Sequence, residues 1–563
     1  MKTIPYALFA RENGPARVVR FSAKLFVPVV LALILCLARD GRAADAFTFA
    51  NVEEAARNLA ANAYAPPEAE APDFLRSLSP EQWRKLRLRP EYANLWAGEN
   101  IPFAITFLHP GSVFTQIARI NLVDGASVRH MPYSPDMFET DDENLAAQLR
   151  NASLGFAGFG VNFPFAVETD RGATERNRFA GLMGASHFMF RGRNAEFGAY
   201  ARPVALDTAM PSGEQHPFFR EFWMQKPETD DDEFVVYALM DSPSLTGAYR
   251  FSIAAGSSTI VDVHARLFKR ANVAEPEKLG LAPATGMFMH SETRRGDTAD
   301  FRPELHSCDG FLFSGGQDDW RWTVLKNPQR LTITAYPMNN PRGFGLMQRD
   351  NSFDHYQDLD NRYDRASSLW VEPVGDWGPG RLELVEIPSS REYHPNILAY
   401  WIPDGNRLAT PQANNGDETN APNGDAPWLE ARYRLYWMPP GATPHALGKA
   451  RDTRMVREQG GEQVTFIIDF EGEAINTLDG DTGLASVVDA PDHAPLLEKS
   501  LRKNDVTGGW RLLLTFKLPA GGVLQNLFSA REGPTPIRFS AYLKKGENIA
   551  EPLTEKWTYN IIP

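Results

Sequence analysis

Cysteine is nearly missing from this chain. It has 563 residues and two cysteines. Cys36 lies in an N-terminal leader, so the rest of the chain holds Cys308 alone. That excludes an intramolecular disulfide and the multi-cysteine zinc sites, and Cys308 reads as a buried structural thiol. Positive charge is also short: 58 Lys and Arg stand against 71 Asp and Glu, a formal charge of -13. Nucleic acid needs a basic footprint, so it is excluded as a partner. The P-loop, the dinucleotide fingerprint, H-E-x-x-H and G-x-S-x-G are all absent. His306 and His394 stand apart from other ligand types. No metal and no cofactor are expected.

Long apolar runs are missing too, with one exception. Leu25 to Ala38 reads LFVPVVLALILCLA. It falls short of the roughly 20 residues that span a bilayer. Arg11, Arg17, Arg20 and Lys24 precede it, and Ala44-Asp45-Ala46 follows as a small-x-small pattern. The segment reads as a Sec-type secretory signal cleaved near Ala46. There is no adjacent arginine pair for the twin-arginine route, and Leu35 before Cys36 does not suit a lipoprotein site.

What is present points to β-structure. Gly (43) and Pro (42) are plentiful, and aromatics make up 11% of the chain. Residues 47 to 88 carry helical spacing, with a Ser cap and Pro start in SLSPEQW. From there the text turns to short runs rich in β-formers, such as EFVVYALMDS, TIVDVHARLFK and RLTITAYPM. Each is closed by turn residues, which predicts antiparallel sheets in a sandwich or barrel. Residues 406–427 are mostly Asn, Gly, Pro, Asp and Ala and read as a linker or mobile loop. The expected layout is a large β domain at 47–405 and a second β unit at 428–563, of immunoglobulin-like size.

One region, 300–401, is dense in chemistry. Trp320, Trp322, Trp370, Trp377 and Trp401 occur there with Tyr356, Tyr363, Tyr393 and Tyr400, interleaved with Asp and Arg such as Asp358 and Arg362. A sugar offers an apolar face of C–H groups and a rim of hydroxyls. Flat aromatics cover the face, and carboxylates and guanidinium groups bond the rim. The expected sugar-binding residues are Trp320, Trp322, Tyr356, Asp358, Arg362, Tyr363, Trp370 and Trp401. The alternative is that the tryptophans are core and the charges solvated turns.

Several segments resemble the periplasmic glucan biosynthesis protein family (OpgG and OpgD, older name MdoG). They include LGFAGFGVNFPF (154–165), ALDTAMPSGE (205–214), YALMDSPSLTGAYRF (237–251), FRPELH (301–306), NPRGFGLMQRD (340–350), DLDNRYDRASSLWVEP (358–373) and NILAYW (396–401). They follow the family's order through most of the large domain. The resemblance implies an all-β protein, with a large galactose-mutarotase-like β-sandwich and a C-terminal immunoglobulin-like β-sandwich. It also implies a periplasmic location and work on glucans with a β-1,2-linked glucose backbone.

Some family members hydrolyse that backbone with inversion, and related ones transglycosylate. Matching the motifs places their two aspartates at Ser307 and Pro395 here. Neither residue can act as acid or base near neutrality. Asp309, two residues on, and Glu392 and His394, flanking Pro395, are the candidate replacements. Three readings follow. The first is a β-1,2-glucan-binding protein without family-type hydrolysis. The second is a hydrolase or transglycosylase with relocated acid and base. The third is a scaffold for the inner-membrane glucan synthase. The oligomeric state is not set, and a homodimer stays open.

Overall fold

Period-two alternation decides the layers. In the strand Glu233–Asp241, Phe234, Val236, Ala238 and Met240 enter the main core. Tyr237 and Leu239 point the other way, against Val52, Ala56 and Ala60 of the helix Phe49–Ala60. The strand is buried on both faces because a sandwich covers one and a helix the other.

This computed structural model describes residues 46–561 apart from 68–70, 94, 97–98, 166–177, 230, 294–299, 317–318, 405–427, 459–461, 480–482, 520–535 and 547–550. The expected secretory signal, but for Ala46, and the expected linker 406–427 lie outside the described residues. No described helix is long and apolar enough to cross a membrane.

The all-β expectation holds. Among the described residues, a ten-stranded sheet faces one of fourteen strands. The core between them draws Phe159, Phe188, Ala284 and Leu384 from the first sheet, and Phe222, Phe251, Val263 and Leu435 from the second. Pairing is antiparallel except where Phe218–Gln225 meets Arg119–Asp124 and Trp320–Val324 meets Lys556–Ile561. A four-stranded sheet closes a second core over the far end of the long sheet. Val464, Phe466, Ile468 and Phe470 line it from one strand by the same alternation.

The expected helical start is present as Phe49–Ala60 and two short helices, Asp73–Arg76 and Pro80–Arg84. Ser79 caps the last, accepting from the Gln82 N–H at 3.1 Å, with Pro80 at its first position. One expectation changes. The strand Trp428–Met438, expected to open the second unit, pairs with Thr259–Lys269 and Ser368–Pro373 inside the long sheet. Leu312, Trp322 and Trp370, from the expected large domain, reach into the second core. The hydrogen-bonded ladder therefore runs through the expected boundary, because an unpaired strand edge there would expose its backbone polar groups.

Candidate functional site

Three segments far apart in sequence meet at Arg302. Its guanidinium donates to Asp300 at 2.7 Å, to Asp358 at 2.7 Å and to Glu392 at 2.9 Å. Tyr363 donates its hydroxyl to Glu392 at 2.7 Å. Asn361 donates its amide to Asp358 at 3.0 Å and to Glu392 at 3.1 Å. The bond to Arg302 holds the Asp300 carboxyl down at about 2. Burial, followed by the bond to Glu392, pushes the Tyr363 phenol well up. Asp358, Tyr363 and Glu392 are thus brought together. Glu392 spends its lone pairs on Arg302, Asn361 and Tyr363, so it works as an anchor for its loop rather than as a free acid or base.

Phe301, Leu359 and Tyr393 each adjoin a member of this network and are 74%, 70% and 67% exposed. His394 and Pro395 are exposed in the turn that follows. Asn396 is buried and ties the turn down through bonds to the Phe288 and Ile387 carbonyls at 2.9 and 3.1 Å. Arg362 engages Asp364 at 2.7 Å and lies over the Phe353 ring.

Inside the Arg302 network, the chain pairs Leu305–His306 with Phe288–His290. His306 is fully buried, stacked on Phe288, with its ring nitrogens 2.8 Å from Glu304 and 3.1 Å from Gln348. Gln348 donates to the Tyr356 hydroxyl at 2.8 Å, so Tyr356 serves a buried network. Ser307, at the first expected aspartate position, accepts from the Met287 N–H at 3.1 Å and is structural.

Beyond His306 lies a cavity of about 20 Å³ lined by Glu292, Glu304, Asp309, Asp350, Asp452, Arg451 and Trp322, among others. Burial raises the Glu292 carboxyl to about 8, with the charge of Glu304 adding to it. Burial also raises Glu304, again helped by a carboxylate, that of Asp350. Asp309 is raised by burial to about 6, with His306 opposing. Glu292 thus keeps its proton near neutrality, as a general acid must, while Asp309 is mostly ionised there. The volume has room for a water molecule.

The expected tryptophan platform needs correction. Trp401, Trp370 and Trp322 are buried. Trp401 belongs to the main core, Trp322 and Trp370 to the second. Trp320 is half-buried, 5.4 Å from Trp370 and 4.6 Å from the His445 ring. Each buried tryptophan lies over a glycine two residues from its cross-strand partner. Gly310 lies under Trp322, Gly343 under Trp370 and Gly380 under Trp401. A Cβ on Gly310 would sit 1.9 Å from the Trp322 ring. The ring cannot yield, because the Arg349 guanidinium stacks 3.5 Å from its centre. Gly310→Ala should therefore cost about 1–3 kcal/mol, read as a lower denaturant midpoint.

Residues 47–561 match the family described as periplasmic glucan biosynthesis protein, MdoG. The chain belongs to that family. Similar relatives, each called glucans biosynthesis protein G, come from Serratia proteamaculans (35% identical, covering 92% of this chain and 93% of the relative) and Sodalis glossinidius (36%, covering 91% and 93%). Another comes from Pseudomonas putida (36%, covering 87% and 85%). For this member of the MdoG family, the family's description gives a periplasmic role in glucan biosynthesis. Glu292, Glu304, Asp350, His355 and Asp452 escape sequence reasoning. Glu304 and Asp350 do lie inside segments that carry the resemblance, FRPELH and NPRGFGLMQRD.

Proposed function

We propose that this protein is exported by the Sec route, is cleaved near Ala46, and binds the β-1,2-linked backbone of a periplasmic glucan without family-type hydrolysis. The family match beginning at residue 47 supports the cleavage point. The observation that carries the binding reading is the Arg302 network. It holds carboxylate, guanidinium, amide and phenol groups in fixed positions, and its neighbours Phe301, Leu359 and Tyr393 are exposed. Rigid polar groups beside bare apolar side chains suit a sugar's hydroxyl rim and C–H face. Ser307 and Pro395 supply no acid or base, and Glu392 is consumed as an anchor.

A second reading draws on Glu292 and Asp309. Their raised carboxyls could serve as relocated acid and base in hydrolysis or transglycosylation. It needs two relocated groups at once, where the binding reading needs none.

The test is calorimetry of the purified protein with linear and cyclic β-1,2-glucans, with mass spectrometry of the same samples. Heat of binding without new chain lengths is expected. Tyr393→Ala should weaken binding by about 1 kcal/mol, roughly fivefold, with an unchanged melting temperature. New chain lengths would establish the enzyme reading. Absence of binding would leave the synthase scaffold.

A further inference from the structure

Sequence alone sets Glu304, Asp350 and His355 apart, and the fold joins them. One ligand atom from each lies within 4.8 Å of the other two. The His355 Nδ1 is 2.5 Å from Asp350 Oδ2 and 3.8 Å from Glu304 Oε1. A tetrahedral divalent site with bonds of about 2.0 Å needs donor atoms about 3.3 Å apart. The two His355 distances bracket that spacing, each within an ångström of it.

The outer partners leave the inner oxygens facing one another. Glu304 Oε2 is held by His306 at 2.8 Å, its Oε1 lies 3.8 Å from His355, and the same carboxyl also hydrogen-bonds Glu292. Asp350 Oδ1 accepts the Ser352 N–H at 2.9 Å, which leaves Oδ2. Asp309 Oδ2 accepts the N–H groups of Arg349 and Asp350 at 2.8 and 2.9 Å. Its other oxygen, Oδ1, is inaccessible and has no partner, although the residue keeps some exposed surface. Asp309 lines the same cavity as Glu304 and Asp350, and that cavity holds one water-sized particle. An unsatisfied buried carboxylate oxygen is costly, and a cation is one way to satisfy it. Glu292 and Asp452 also line the wall, and Arg451 is the one cation among its lining residues. The His355 side chain, 42% exposed, leaves a way in.

We propose that Glu304, Asp350 and His355 bind one divalent transition-metal ion of the Zn²⁺ class, with Asp309 Oδ1 turned toward it. One imidazole with carboxylates suits such an ion better than Ca²⁺ or Mg²⁺, which take oxygen ligands. The His306 bond to Glu304 is the supporting shell such ligands require. The ion would join the strand Leu305–His306 to the helix Phe353–Tyr356, next to the Arg302 network. The assignment does not depend on the glucan reading.

The test is chelator treatment of the purified protein, then titration with ZnCl₂ by calorimetry and by thermal melting. One ion per chain and a higher melting temperature are expected, with no shift from equal CaCl₂ or MgCl₂. His355→Ala should weaken Zn²⁺ binding by at least ~10-fold, and Asp350→Asn should do the same, each with a native circular dichroism spectrum. Asp350→Asn decides the matter should His355→Ala fail to fold. No saturable uptake, undiminished uptake in the folded variants, or equal affinity for Ca²⁺ would overturn the assignment.

Discussion

Replacing Glu555 with alanine is expected to lower the free energy of unfolding by about 3–5 kcal/mol. Glu555 and Arg349 are both fully buried and meet in a two-pronged ion pair at 2.5 and 2.7 Å. His445 approaches the same carboxylate at 3.1 Å, and the Ala450 N–H donates to it at 2.9 Å. Arg349 follows the strand Gly343–Met347 of the long sheet, and its Nη1 also donates to the Ala450 carbonyl at 2.9 Å. The pair therefore ties the main sandwich to the start of the second core. Removing the carboxylate strands a buried guanidinium against Trp322, with no water to take its charge.

The same pair sets an acid limit. Burial alone would raise the Glu555 carboxyl, but the charge and hydrogen bonds of Arg349, with help from His445, outweigh it and hold the group at about 2. Its folded value lies below its unfolded one. The stabilisation is then fully present above about pH 4.5 and is lost as pH falls toward 2. Urea unfolding of wild type and Glu555→Gln checks this. The gap between them should be full above about pH 5 and close as pH falls from about 4 toward 2. A constant gap across that range would mean that the carboxylate charge is not what holds the joint.

Trp401→Ala is expected to cost a further, independent 3–5 kcal/mol or so. Trp401 is fully exposed to the core and not at all to solvent. It pairs with Leu281 on one side and Leu382 on the other. A Cβ on Gly380 would come within 2.5 Å of its ring, so the indole fills the space that this glycine leaves. Truncation leaves a cavity that neighbouring strands, locked by their ladders, cannot fill. Thermal melts should show the loss. Glucan affinity per folded molecule should stay as in wild type. A variant that melts normally but no longer binds glucan would return Trp401 to the groove.

The tryptophans show where sequence reading reached its limit. Their density between residues 300 and 401 is visible in the text, and so is its fit to sugar binding. Which way each ring points depends on cross-strand register, and register joins residues that the chain order keeps apart. The glycines under Trp322, Trp370 and Trp401 became meaningful once the strands were paired. Glu392 was likewise visible as an acid beside the expected catalytic position. Its anchoring role came from Arg302, Asn361 and Tyr363, which lie elsewhere in the chain.

The chain's own text was enough for the β class, the capped helical start, the acidic character and the family, because these rest on local periodicity, turn residues and ordered motifs. It was also enough to show that Ser307 and Pro395 cannot carry proton transfer. Tertiary structure alone decided that the ladder continues through Trp428–Met438, that Glu292, Glu304, Asp309, Asp350 and Asp452 line one small space, and that His355 meets Glu304 and Asp350. The reason is physical. Burial raises the carboxyls of Glu292, Glu304, Asp309 and Asp452, and burial is a property of the packed chain that no spacing along it encodes.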